Sequence, residues 1–330
     1  MKRFVLISAI SLFAFVSCYD DYIIDYDYQG VGFANQTDVR SVVVGEGMTF
    51  STGVALGGVI SNEEDRTVSY SIDNTLINES TLTLFKSHAL NYITALFKNV
   101  DALAELPSSE YTLVNDGGEA GKTVIRKGSH LGTIQVKVDS LAYFQGSASL
   151  SPDHVIPITI TDGGGTDLIE GKNTTVIGVR YENMLFGNYW HGGKAEVEGA
   201  DGSTRTVTYY TEVPQSDNEV WTLTTVGPHS LTANAIGNEL NGSAAQMRLT
   251  LNQEDGTITV ASVDGAPYTV EADGESRYNR AALLQDRKIF LKYKFVKDGE
   301  TWHATDTLTF RNRIRDGVNE WQDENPEHYN

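Results

Sequence analysis

Short apolar and β-branched runs, separated by turn residues, recur along nearly the whole chain. Residues 42–44, 67–72, 81–85, 133–138, 155–161 and 175–179 each read as a strand. In 133–138 the apolar Ile134, Val136 and Val138 alternate with Thr133, Gln135 and Lys137, the pattern of a half-buried strand. Ile156, Ile158 and Ile160 share one face in the same way. A single stretch changes period. Residues 87–105 carry Leu90, Ile93, Phe97, Val100 and Leu103 at helical spacing, with Ser87 placed to cap and Pro107 to stop, so one short helix is predicted there. Gly163, Gly164 and Gly165 form a loop before the last strand of this half, and a boundary falls near Glu182.

Beyond that boundary the turn chemistry is explicit. Asp-Gly pairs occur at 201–202, 255–256, 264–265, 273–274 and 298–299, and Asp-Gly favours the two-residue type I′ hairpin turn. A turn on Asp298 and Gly299 pairs Lys297 with Glu300, Phe295 with Trp302, Tyr293 with Ala304, Leu291 with Asp306 and Ile289 with Leu308. One face then collects Ile289, Leu291, Tyr293, Phe295, Trp302 and Leu308, while lysines, threonines and His303 take the other. Turn and apolar pattern thus give the same register independently. A turn at Asp201-Gly202 would set Glu198 opposite Arg205. Successive hairpins of about eight strands close most simply into an antiparallel up-and-down barrel.

The ends add an address. Lys2 and Arg3 precede an apolar run over 4–16, too short to span a bilayer as a helix but fitting for a signal-peptide core. Ser17 and then Cys18, the chain's one cysteine, follow directly, so no internal disulfide forms. Asp20, Asp21, Asp25 and Asp27 come next; an acidic tether stays solvated and is repelled by anionic lipid. Asp25, Asp27 and Gly30 have the spacing of a calcium loop, but Gln36 at its twelfth position supplies no bidentate carboxylate, and no metal or cofactor is expected. The formal charge of −19 becomes −21 once Lys2 and Arg3 are removed, which disfavours nucleic acid. The expected organisation is a signal peptide at 1–17, an acidic tether at 18–29, a β-sandwich at 30–182, a barrel at 183–314 and a polar tail at 315–330.

An apolar stretch ending in a small residue and a lone cysteine resembles a bacterial lipoprotein signal, which implies a diacylglycerol on Cys18. Acidic residues just beyond resemble the surface-export signal of Bacteroidetes lipoproteins. With these, the step PSSEYTL at 107–113 and the strands TIQVKV and HVIPITI are similar to an N-terminal domain of unknown function from such lipoproteins, over roughly 30–182. The segment FGNYWHGG at 186–193, followed by the hairpin run, resembles the calycin barrels, whose first strand carries Gly, a short gap and Trp. The fold implied is all-β: an immunoglobulin-like sandwich followed by a calycin-like barrel. The function implied is that of an accessory protein of a polysaccharide-utilisation system, lipid-anchored at the outer membrane beside an importer and binding extracellular polysaccharide or oligosaccharide without cleaving it.

Enzyme motifs such as HExxH, GxSxG, the P-loop and GxGxxG are missing, and the seven histidines are scattered, so no enzyme is expected. Two carboxylates brought together by the fold would suffice for glycoside hydrolysis, and sequence alone leaves that open. Glycan recognition uses flat aromatic rings with polar side chains. Candidates are Tyr189, Trp190, His191, Tyr209 and Trp302, with Asp306, a carboxylate on the apolar hairpin face. Trp302 and Trp221 also read as core, and Tyr209 and Tyr210 point to opposite faces. Trp190 has Gly192 and Gly193 nearby, which would let a ligand approach the backbone. Asp306 needs either a position at the barrel mouth, a partner such as Arg248, or a polar ligand. Two alternatives stay open: a lipid or small apolar ligand inside the barrel, and a structural subunit of a surface complex. Asp139-Ser140-Leu141 and Asp306-Thr307-Leu308 also resemble O-glycosylation sites of Bacteroidetes exported proteins.

Overall fold

The computed structural model describes residues 26–115, 119–209, 214–241 and 245–323. The signal peptide, Cys18, most of the acidic tether, Tyr210 and the last seven residues lie outside them. The architecture is all-β, in two successive parts. Among the described residues no helix is long and apolar enough to cross a membrane.

The first part is a sandwich of a five-stranded and a six-stranded sheet. Gly30–Phe33 pairs antiparallel with Thr49–Gly57 in one sheet. The chain then crosses, and Thr37–Val44 runs parallel to Thr174–Asn183, the last strand of this part, in the other. That switch ties the two sheets at their first strands. Leu131–Val138 buries Ile134, Val136 and Val138 and exposes its alternate residues. They face Ile156, Ile158 and Ile160 of His154–Asp162 across one apolar core.

The helical content differs from the single helix expected at 87–105. Among the described residues three short α-helices form: Glu79–Lys86, Asn91–Phe97 and Ser140–Gln145. Residues 81–85, which read as a strand, lie in the first. Asn78 caps it by accepting a hydrogen bond from the Thr81 N–H, and Leu82 and Phe85 bury one stripe. Ser87 closes this helix, its hydroxyl donating to the Thr83 carbonyl, rather than opening the next. Phe85 and Phe97 stack with ring centroids 4.0 Å apart, joining the first two helices. The second stops at Phe97, which frees the chain to place Ala104–Glu105 parallel to His154–Asp162. Asp139 of the Asp-Ser-Leu tripeptide caps the third helix, accepting from the Ala142 N–H.

The second part is an antiparallel sheet that closes on itself. Each strand pairs with its neighbour from Gly187–Glu198 through Glu219–Gly227, Ser230–Ala233, Met247–Leu251, Thr257–Ser262 and Ser276–Tyr278 to Lys288–Lys297 and Glu300–Arg315. Glu300–Arg315 then pairs back onto Gly187–Glu198. The Lys288–Lys297 hairpin has the predicted register pair for pair, Leu291 opposite Asp306 included. Asp298 and Gly299 have φ of 53° and 82°, as a type I′ turn requires. The hairpin at 201–202 is shifted by one residue from expectation. Gly199 and Ser203 close a longer tip, so Arg205 opposes Val197 and Glu198 opposes Thr204. Arg205 instead reaches Glu300 with two hydrogen bonds of 2.5 and 2.7 Å. A further Asp-Gly pair, Asp316-Gly317, makes another two-residue turn, with φ of 50° and 78°.

The barrel docks on the sandwich through buried charge. Glu46, in the turn before Thr49–Gly57, accepts two hydrogen bonds of 2.8 Å from Arg313 and lies 2.7 Å from Arg287. All three side chains are buried. Asp316 accepts from the Ser41 N–H and hydroxyl at 2.9 and 2.7 Å, and the Asn183 amide donates to the Pro228 carbonyl.

Candidate functional site

The strand Gly187–Glu198 divides the predicted site residues by simple alternation. Tyr189 and His191 point into the barrel and are buried; Trp190 points out and is half-buried. From Glu300–Arg315, Trp302 and Asp306 also point inward. Tyr209 enters the same interior from the residue after Thr204–Thr208. The structure therefore unites His191, Tyr209 and Asp306, places Tyr189 and Trp302 elsewhere in the core, and sets Trp190 apart on the outer face.

The inner group is a closed polar cluster. Both Asp306 carboxylate oxygens accept from tyrosines, Oδ1 from Tyr209 and Oδ2 from Tyr293, each at 2.5 Å. The Tyr293 hydroxyl itself accepts from the Gly237 N–H at 2.7 Å. His191 Nε2 stands 3.1 Å from Asp306 Oδ2, at ion-pair distance but out of line for a hydrogen bond. Its ring stacks on Trp221 at 4.0 Å and on Tyr209 at 5.3 Å. Asp306 thus needs neither Arg248 nor a position at the barrel mouth, because two hydroxyl donors offset the cost of burying its charge. Burial first, and then the neighbouring Asp306 charge, push both tyrosine hydroxyls above the usual phenol range, so they remain donors.

Large side chains fill the rest of the barrel. Trp221, Tyr189, Tyr293, Phe295, Leu291 and Leu308 are almost wholly excluded from solvent. Tyr189 donates to the Leu185 carbonyl and meets Phe310 edge-on, and Trp302 stacks on Phe295. Gly193 serves this packing and not a ligand. A Cβ there would sit 2.4 Å from the Thr305 carbonyl oxygen and 2.7 Å from Asp306 Oδ1.

Outside, the same strands carry a groove of about 760 Å³. Its lining includes Lys194, Glu196, Lys292, His303 and Thr305, with the strand Thr204–Thr208 along one side and Asp273 on the other. In register, Lys194 and Lys292 flank Thr305, and Glu196 lies opposite His303. His303 is held by Asp273 at 2.7 Å, whereas Lys194, Glu196 and Lys292 form no ion pair among the described residues. Trp190 continues this face, with the Arg311 guanidinium 4.9 Å from its ring centroid. These charged groups escaped the sequence reading because each is an ordinary outward position of its strand; only closure of the barrel brings them together. Trp321 is exposed and joins neither group. A smaller groove on the sandwich, about 230 Å³, includes Arg40, which Asp38 already neutralises at 2.8 Å. Among the described residues no group of acidic, histidine or cysteine side chains has the arrangement of a metal site.

Comparison with known proteins bears on the fold. A family model described as a "-like, N-terminal domain" matches residues 19–167. No curated protein matches the chain. A structural-genomics protein of unknown function from Bacteroides ovatus is 20% identical, covers 90% of this chain and 99% of its own, and superimposes with a TM-score of 0.61. A second such protein from Bacteroides ovatus is 15% identical over 89% of this chain and 100% of its own, with a TM-score of 0.42. A third, from Bacteroides ovatus ATCC 8483 and named only provisionally as a carbohydrate binding protein, is 14% identical over 70% of this chain and 66% of its own, with a TM-score of 0.31. The first likeness is one of all-β fold, shared with that Bacteroides ovatus protein; the other two are too distant to carry an argument.

Proposed function

We propose that this chain is a noncatalytic surface lipoprotein, anchored through Cys18 at the outer membrane and facing the exterior. There it binds extracellular glycan as an accessory to an outer-membrane polysaccharide importer. The observation that carries this reading is the outer groove, where charged and hydroxyl side chains converge and Lys194, Glu196 and Lys292 form no ion pair among the described residues. Carboxylates, ammonium groups and hydroxyls in one open channel suit the many hydroxyls of a sugar chain. Trp190 lies four residues along the strand from Lys194 and on the same face, roughly 13 Å away, a span suited to a short oligosaccharide. The packed interior speaks against an apolar ligand inside the barrel. A purely structural subunit would call for one exposed apolar patch, yet exposed side chains such as Leu84, Ile72, Leu131 and Val296 are spread over a helix, both sandwich sheets and the barrel.

The test is retention of the protein by a panel of soluble and insoluble polysaccharides, by affinity gel shift and pull-down. Retention by a glycan class is expected, weakened about tenfold by Trp190→Ala if the loss equals one ring-stacking contact of about 1.4 kcal/mol. Retention by none of the panel would overturn the reading. The anchor is tested separately. Cys18→Ala is expected to move the protein from the membrane fraction to the soluble one, and unchanged fractionation would refute lipidation there.

A further inference from the structure

The outer face of the barrel is more basic than anything else about this chain suggests. Its strands lie side by side as Gly187–Glu198, Glu300–Arg315, Lys288–Lys297 and Ser276–Tyr278. Across them, register gives three successive outward rows: Trp190, Thr309 and Lys288; Gly192, Thr307, Phe290 and Arg277; Lys194, Thr305 and Lys292. Arg311 stands over Trp190 at 4.9 Å and Arg277 over Phe290 at 5.3 Å. Lys194, Lys288, Lys292, Arg277 and Arg311 are all exposed, and none has a carboxylate partner among the described residues. These five cations gather on one face of a chain with formal charge −19, in which acidic residues outnumber basic ones 44 to 25.

The net charge of the whole molecule does not cancel this patch. At physiological ionic strength a charge is screened over about 8 Å, so a ligand lying on the face senses its own neighbours. Lys194 and Lys292 are two strands apart with Thr305 between them, roughly 10 Å, and no side chain projects from Gly192 one row away. The next row carries Glu196 and His303. Cations followed by hydrogen-bond acceptors, with a column of threonine hydroxyls between, match a ligand that alternates anionic groups with hydroxyls. A uniformly anionic bilayer would meet repulsion from Glu196 and Glu198.

Resting on the glycan-binding reading above, we infer that the outer face takes an acidic polysaccharide, one bearing carboxylate or sulfate groups. Lys194 and Lys292 hold those groups from either side of Thr305. Hydrogen bonds to charged groups are worth more than neutral ones, so these two residues set the preference for an acidic over a neutral chain.

The experiment compares retention of the full chain, solubilised in neutral detergent, on polygalacturonate, on the same polymer after full methyl esterification, on chondroitin sulfate, and on neutral xyloglucan and dextran. Vesicles containing phosphatidylglycerol serve as a further probe. Retention by polygalacturonate or chondroitin sulfate is expected, weakening as salt rises. It should fall about tenfold or more in Lys194→Glu/Lys292→Glu, whose melting temperature should match the parent because both side chains are exposed. Equal retention by acidic and neutral glycans would overturn this inference while leaving the glycan-binding function standing, and so would acidic binding that the double substitution leaves unchanged. Binding to the vesicles with no glycan retained would overturn both.

Discussion

Replacing Glu46 with alanine is expected to destabilise the protein by about 3–5 kcal/mol, read as a shift of the denaturant midpoint. Glu46 bridges both guanidinium groups at the junction, accepting from Arg313 and lying 2.7 Å from Arg287. Its loss leaves two buried arginines. Arg313 keeps Glu320, and Arg287 keeps the Met184 carbonyl, so the greater cost falls on burying net positive charge between the parts. The remaining contacts across the junction include the Ser41–Asp316 hydrogen bond, the buried hydrogen bond from the Asn183 N–H to the Thr225 hydroxyl, and Val43 packed into the barrel core. Those contacts survive in the variant, but loss of the buried charge bridge weakens the coupling between the two parts, so its unfolding is expected to be less cooperative than that of the parent. A denaturant profile of Glu46→Ala superimposable on that of the parent would refute this account.

The same residue fixes the direction of the acid response. Burial alone would raise the Glu46 carboxyl, but the Arg313 and Arg287 guanidiniums more than reverse that, and it lies below the usual carboxylate range. A carboxyl depressed in the folded state contributes stability in full above its unfolded value, about 4.3, and loses it as pH falls through the folded value. The difference in stability between the parent and Glu46→Gln should therefore be largest near neutrality and shrink below about pH 4.

Legibility from sequence followed the range of the interactions. The Lys288–Lys297 hairpin was readable to the residue because a period-two pattern and an Asp-Gly turn constrain the same register. Asp306 was readable as inward for the same reason, with Tyr293 on its face, but Tyr209 was not readable as its second partner, since it comes from a distant hairpin. The turn at 201–202 misled because Asp-Gly also fits longer tips; neither Asp201 nor Gly199 adopts positive φ there. The helix Glu79–Lys86 was mistaken for a strand because Thr81, Leu82, Thr83, Leu84 and Phe85 are good strand residues, and the deciding signal, the Asn78 cap, precedes them. The junction had no local signature at all. Glu46 and Arg313 are 267 residues apart and each sits among ordinary neighbours. The outer groove is a product of barrel closure, and alternation alone says only that Lys194, Lys292 and His303 point outward.

Asp306 offers the second large effect, and it separates the inner cluster from the outer groove. Asp306→Ala should cost about 2–5 kcal/mol, because two buried hydroxyls, those of Tyr209 and Tyr293, lose their common acceptor. Asp306→Asn keeps the shape but turns an amide N–H toward one of those hydroxyls. If that is Tyr293, its oxygen already accepts from Gly237 and its proton is left without a partner. A substantial loss, about 1–3 kcal/mol, is expected there too. Neither substitution touches the outer face, since Asp306 points inward while Thr305 and Thr307 point out. Glycan retention measured well below the melting temperature should thus follow the folded fraction alone, with the same preference among glycans as the parent. A folded Asp306→Asn protein that has lost retention, while Lys194→Glu/Lys292→Glu keeps it, would place the ligand inside the barrel. The packed interior around Trp221 and Tyr293 would then have to open to admit it, and amide exchange in Lys288–Lys297 faster than global unfolding permits would be the sign of that opening.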